Sequence, residues 1–206
     1  NSLPGVSTVG EGASGFNVRG GGIGQNLILL DEGLIFNSSH ALGLFSVFHA
    51  DALEKVALYK GHIPAKFGGR NSSVLKVEVK EGDYQDFHGT AGIGLFASRF
   101  QADGPIFKNK LSFNVGFRFS YSDWLLSLVD DFDVSNSSAG FNDLTSKLSY
   151  RVSDKTRLSA SWFQSSDEFT FSDEFGYEWN SRLGNFRWRQ IYNDKFTSLV
   201  SVGTGT

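Results

Sequence analysis

The chain has 206 residues, with 19 Lys and Arg against 22 Asp and Glu for a formal charge of -3, 24 Gly, 20 Phe, and neither Cys nor Met. This balance speaks against a nucleic-acid partner, and without Cys there is no disulfide, thiol catalysis or Cys-ligated metal. No apolar run reaches the ~18 residues of a transmembrane helix, so any membrane crossing has to be made by strands.

The chain starts at Asn1, and the apolar strand pattern of Phe196 to Val202 simply stops, so both ends are expected to be cuts in a longer protein. A signal peptide would precede Asn1. From Asn1 to about Asp86 the text is Gly-rich, with short apolar runs such as Asn26 to Asp31 and Val56 to Lys60. These are broken by turns at Gly20 to Gly24, Gly61 and Gly68-Gly69, the pattern of a small α+β domain. Gly10-Glu-Gly-Ala-Ser-Gly15 has dinucleotide-loop spacing, but no strand precedes it and no helix pattern follows, so a tight turn is the better reading. Asp51 to Lys55 is expected to form a short helix. Ser72 to Lys80 reads as a strand with one wet face, Val74, Lys76, Glu78 and Lys80 opposing Ser73, Leu75, Val77 and Val79.

After His88 long strands take over. In the clearest, Leu111, Phe113, Val115, Phe117, Phe119 and Tyr121 alternate with Ser112, Asn114, Gly116, Arg118 and Ser120. A strand of this length, tilted about 45°, crosses the ~25–30 Å hydrocarbon layer, and its apolar side is expected to face lipid. Gly89 to Gln101, Asp143 to Val152 and Thr156 to Gln164 alternate likewise. Short connections at Asp103 to Asn109, Ser153 to Lys155 and Asn193-Asp194 take turns with long polar ones at Ser122 to Gly140 and Ser165 to Tyr177. That phase predicts five strands and the start of a sixth. A soluble β-sandwich also alternates, but its strands average about five or six residues.

The four His, at 40, 49, 62 and 88, lack metal-site spacing and are read as structural or surface residues. Asp130-Asp131-Phe132-Asp133, Asp167-Glu168 and Asp173-Glu174 place carboxylates in the long loops, where a calcium site is conceivable but solvated acidic loops are the ordinary case. No nucleophile, base and acid stand out together, so the chain is not read as an enzyme and no cofactor or metal is expected.

The first half resembles the plug domain of TonB-dependent receptors. The resemblance rests on Phe16-Asn-Val-Arg-Gly-Gly21, Gln25-Asn-Leu-Ile-Leu-Leu-Asp31, Ser39-His40, Gly43-Leu-Phe-Ser-Val-Phe48, Asp51-Ala52, Leu58-Tyr-Lys-Gly61, Pro64-Ala65, Phe67-Gly-Gly-Arg70, Ser72-Ser-Val-Leu75 and Lys80-Glu-Gly82. It is similar to the branch whose plug follows a small carboxypeptidase-regulatory-like domain. His88-Gly-Thr90, Gly104-Pro-Ile106 and Lys147-Leu-Ser-Tyr150 resemble the opening barrel strands more loosely. Asp31-Glu-Gly-Leu-Ile-Phe36 departs from the pattern, because relatives often carry a Pro that would stiffen this turn.

The resemblance implies a small α+β plug, residues 1–86, followed at 87–206 by the first antiparallel strands of an incomplete transmembrane β-barrel. It further implies uptake of a scarce nutrient, such as a siderophore, glycan or vitamin, across the outer membrane of a Gram-negative bacterium. The implied partners are the TonB–ExbB–ExbD complex, acting on a segment before Asn1, outer-membrane lipid, a small ligand and a surface lipoprotein. A passive porin or surface-binding barrel is the alternative. Within the plug, Arg19 and Arg70 are expected to meet carboxylates of the barrel wall, with Gly20, Gly21, Gly61, Gly68 and Gly69 at turns.

Overall fold

A computed structural model describes residues 3–8, 15–172 and 174–206. Residues 88–206 form one antiparallel meander of seven strands in chain order. The strands that follow the N-terminal β1 (Val6–Thr8), β2 (Phe16–Val18), β3 (Asn26–Leu30), β4 (Gly33–Leu34), β5 (Ser39–His40), β6 (Phe45–Ser46), β7 (Leu53–Tyr59) and β8 (Ser73–Val79) are β9 (His88–Ile93), β10 (Ala97–Phe107), β11 (Leu111–Ser120), β12 (Ser138–Arg151), β13 (Thr156–Phe171), β14 (Phe175–Asn193) and β15 (Phe196–Gly205). No helix among the described residues is long and apolar enough to cross a membrane.

The meander differs from expectation in three places. Gly89 to Gln101 is two strands, β9 and β10, because the chain reverses at Gly94 to Phe96. Gly and Ala populate both faces there, so alternation does not mark the reversal. Ser165 to Tyr177 is not a long loop: β13 continues to Phe171 and β14 begins at Phe175, in register throughout. Its polar residues are interleaved with Phe169, Phe171, Phe175 and Tyr177, which favour extended backbone even outside a core. The wall therefore has seven strands rather than five and a sixth. Ser122 to Gly140 does form a long connection, carrying the short helices α1 (Asp123–Leu126) and α2 (Phe132–Ser135).

The two faces of this wall invert the pattern of a soluble sheet. On β11 and β12 the buried residues are polar or small apart from Phe141: Ser112, Asn114, Gly116, Asp143, Thr145, Lys147 and Ser149. Phe117, Phe119, Leu148, Tyr150, Trp162, Phe186, Trp188 and Val202 are exposed on the other side. Water cannot be the intended medium for such an apolar face.

The buried polar face holds the N-terminal part of the chain, whose centre is a four-stranded sheet in the order β4-β3-β8-β7. Strands β3 and β8 pair in parallel and the others antiparallel. As β8 is internal, Val74, expected on a wet face, is buried. The expected helix at Asp51 to Lys55 is a single 3₁₀ turn at Ala50–Ala52 running into β7, since Leu53 to Tyr59 pair along β8. Ile28, Leu30, Ile35, Val47, Val77 and Val79 form the core together with Phe163 and Leu183 of the wall.

Candidate functional site

The junction between the small sheet and the polar face of the wall concentrates the buried charges. The two-residue turn joining β3 to β4 is Asp31-Glu32, both in the left-handed region (φ 47° and 72°). This geometry suits a tight hairpin and is tolerated by Asp. It drives the Asp31 carboxylate into the wall, where it meets Lys147 Nζ at 3.0 Å and Arg187 Nη2 at 3.7 Å. The same carboxylate accepts from the Val79 amide at 3.2 Å, and Lys147 also donates to the Val79 carbonyl at 2.7 Å. Asn185 donates to the Asp31 carbonyl. The sequence departure noted at residues 31–36 thus falls on the turn that anchors the small sheet.

A second anchor sits toward the opposite end of the junction. His40 is fully buried between two strands, with Nδ1 2.8 Å from Asp167 and Nε2 3.3 Å from Asp143. Its ring stacks on Phe141, with centroids 4.4 Å apart. Only a doubly protonated imidazole can donate from both nitrogens. Burial opposes that charge, but the Asp143 and Asp167 carboxylates beside its two nitrogens outweigh it, so the His40 pKa is raised. Asp167 also accepts from the Ala41 amide at 3.0 Å. Arg118 completes the group, pairing with Asp143 at 2.7 Å and donating to the Ser46 carbonyl at 2.6 Å.

Neutral contacts join the two anchors. Asn114 donates to the carbonyls of Ala52 (3.0 Å) and Lys80 (3.3 Å), and Ser112 to that of Glu81 (2.7 Å). His49 packs over Gly116, where any Cβ would crowd its ring. Its buried nitrogens have no hydrogen-bond partner among the described residues, and burial chiefly lowers its pKa. Next to Lys147 and Arg187, a cleft of about 750 Å³ opens between wall and sheet, lined also by Glu54, Glu78, Asp103 and Arg151.

Of the residues singled out from sequence, Arg19 and Arg70 are exposed. Arg70 donates to the Gly24 carbonyl at 2.6 Å, and Arg19 lies against Gly61. Among the described residues neither forms an ion pair with these seven strands, where the charge pairing instead uses Asp31, Glu32 and His40, a half-exposed Asp51–Arg99 contact at 3.1 Å and an exposed Glu81–Arg157 contact at 3.7 Å. Gly20 and Gly69 have positive φ (80° and 86°), whereas Gly21, Gly61 and Gly68 do not. At Gly21 a Cβ would instead collide with Ser72. Leu111, Phe113, Val115, Phe117, Phe119 and Tyr121 lie on the side of the wall away from the small sheet. Among the described residues no group of His, Asp and Glu is arranged to hold a metal ion. The Gly10–Gly15 motif, except Gly15, and Asp173 lie outside the described residues.

A sheet that is polar where it grips a folded unit and apolar where it is bare is one side of a membrane β-barrel with a domain in its bore. Solved structures share this fold. The ferric enterobactin receptor PfeA of Pseudomonas aeruginosa matches with a TM-score of 0.69 at 16% identity, over 98% of this chain and 36% of that one. The siderophore receptor PirA of Acinetobacter baumannii matches at 0.71 and 18%, over 98% and 36%. The copper transporter OprC matches at 0.69 and 12%, over 98% and 33%. The chain therefore spans about a third of the length of these proteins. No protein-family model matches it, and neither does any curated protein.

Proposed function

We propose that residues 1–86 are the last part of a plug, and residues 87–206 the opening wall, of a TonB-dependent receptor that carries a scarce nutrient across the outer membrane of a Gram-negative bacterium. The observation that carries this reading is the junction itself. The wall turns Asp143, Lys147, Asp167 and Arg187 toward a folded unit that closes on them with Asp31 and His40. An open porin would leave those charges to water.

The chemistry of the junction also suits a plug that has to move. Separating apolar surfaces costs about 25 cal/mol per Å² exposed. Hydrogen bonds and ion pairs exchange for water at a net cost of only ~1 kcal/mol each once water can enter. A mainly polar junction is therefore firm while dry and separable when wetted. The energy for that separation is assigned to the TonB–ExbB–ExbD complex, acting on a segment before Asn1. The sequence resemblance supports this assignment, as it does a preceding carboxypeptidase-regulatory-like domain and a surface lipoprotein partner. Siderophores, glycans and vitamins are the ligand classes in view. PfeA and PirA, named for ferric enterobactin and siderophores, share the fold.

The test uses the full-length receptor purified from outer membranes. It should bind the periplasmic domain of TonB from the same bacterium in calorimetry and should show no steady conductance in planar bilayers. Ohmic conductance without TonB binding would leave a passive barrel.

A further inference from the structure

The outer end of the wall has a surface that the junction does not use. A membrane crossing needs about 9–11 tilted residues per strand, whereas β13 has 16 and β14 has 19. Their hairpin consequently rises beyond the bilayer, on the side of the long connection from Ser122 to Gly140. Register runs unbroken along this pair, so parity fixes which face each side chain takes. Ser165, Asp167, Ser181 and Leu183 are buried toward the small sheet. Phe169, Phe171, Phe175, Tyr177 and Trp179 share that parity and continue the inner face above it.

Phe169, Phe171, Phe175 and Tyr177 form one contiguous group of rings. Phe169 lies 6.3 Å from Phe175 and 5.6 Å from Tyr177, and Phe171 lies 5.6 Å from Phe175, centroid to centroid. Phe175 and Trp179 are each about half exposed. The platform begins two residues beyond Asp167, which is bonded to His40 and Ala41 in the β5–β6 hairpin of the N-terminal part. It therefore overlooks the top of the bore. Its surroundings are of one sign: the described residues of 119–142 and 164–181 hold eight carboxylates and no Lys or Arg. The opposite end is basic, with Lys108, Lys110, Arg151, Lys155, Arg157, Arg189 and Lys195 around its turns.

Ring faces are electron-rich and attract cations, and the surrounding carboxylates add a negative field that repels anions. We infer that the inner face of the β13–β14 hairpin is a ligand platform for an organic cation, an alkylammonium or guanidinium group carried on an apolar frame. This rests on the transporter reading and narrows its substrate class. Anionic metal chelates are disfavoured by the field. Neutral sugars are less well served: Asp167 and Trp179 Nε1 are already engaged with His40 and Ser181, which leaves the Tyr177 hydroxyl to meet a ligand that presents many hydroxyls.

The experiment titrates the full-length receptor with labelled hexapeptides of alternating Leu and Arg or alternating Leu and Glu, with maltohexaose as competitor. The Arg peptide should bind at least about tenfold more tightly at low salt, and the preference should shrink as salt screens the field. Replacing both Phe169 and Tyr177 with Ala should cost about tenfold in its affinity. Phe175→Trp, which keeps an aromatic face, should retain binding. Unchanged affinity for the TonB periplasmic domain reports that each variant is folded. Equal binding of both peptides, indifference to the Phe169 and Tyr177 substitutions, or displacement by maltohexaose would overturn the inference. A receptor that still binds TonB but prefers no cation refutes the platform alone, whereas failure to bind TonB together with open conductance refutes the transporter reading.

Discussion

Lys147→Ala in the full-length protein is expected to loosen the small sheet without unfolding the wall. The substitution leaves the Asp31 carboxylate, 2% exposed, with Arg187 at 3.7 Å as its nearest cation, and takes the Lys147 donor from the Val79 carbonyl. Stripping one partner from a buried pair costs about 3–5 kcal/mol, and Arg187 places this case near ~3. A unit of about 80 residues unfolds in urea with a slope near 1 kcal/mol per M, so the midpoint should fall by about 3 M. Protease sensitivity of residues 1–86 against urea concentration reads that midpoint while the wall stays folded. Pairing Lys147→Met with Asp31→Asn removes both charges. Asn keeps an acceptor for the Val79 amide and tolerates the left-handed turn, so the double variant should recover to within about 1 kcal/mol of the parent. A shift below about 0.5 M for Lys147→Ala, or a double variant no better than the single one, would refute the assignment of this pair as an anchor.

Three further outcomes follow from the geometry. The raised pKa of His40 gives it a stabilising contribution that is complete below the ordinary imidazole value of 6.5 and lost as pH rises through its higher folded value. His49, with a lowered pKa, acts in the opposite direction, weakening the junction as pH falls below 6.5. Subtracting the profile of a His40→Asn variant isolates the first effect, and a flat difference between about pH 6 and about pH 9 would exclude it. Val115→Arg on the bare face should cost about 2–4 kcal/mol of folding into phosphocholine vesicles if that face meets lipid, and almost nothing if it meets water. Gly82→Ala should cost about 2 kcal/mol or more, since φ there is 85° and the new Cβ would overlap the Phe113 carbonyl. Normal yield of heat-stable protein would contradict that.

The strand Leu111 to Ser120 was legible in the sequence because the wall is one residue thick and its two sides meet different media, so every second residue reports its environment. The reversals at Gly94 and beyond Phe171 were hidden. One lies among residues too small to show a face, and the other in a hairpin whose polar side chains resemble a loop. The anchors left no local trace. Asp31 and Lys147 are 116 residues apart and His40 and Asp167 are 127, and nothing in one segment encodes the sign of its distant partner. One signal was available: Asp143 and Lys147 sit on either side of Thr145 on the face of β12 that also carries Phe141 and Ser149, a position where an unpaired charge would be costly. Arg19 and Arg70 drew attention by charge and motif, and neither pairs with a carboxylate of the seven strands described.

The parallel pairing of β3 with β8 has a mechanical consequence. A pull delivered at the N-terminal end first loads β1 and β2 at adjacent ends, where Val6 faces Val18, so their bonds break in succession at low force. Tension then reaches β3 at Asn26, while β8 is tethered to the wall from its far end beyond Val79. Parallel strands drawn from opposite ends are loaded in shear, and all five residue pairs from Asn26–Ser73 to Leu30–Val77 must yield together. The chain is thus graded like a ripcord: slack is released easily up to about Gly22, and further extension meets a stop that transmits the load to the junction at Asp31.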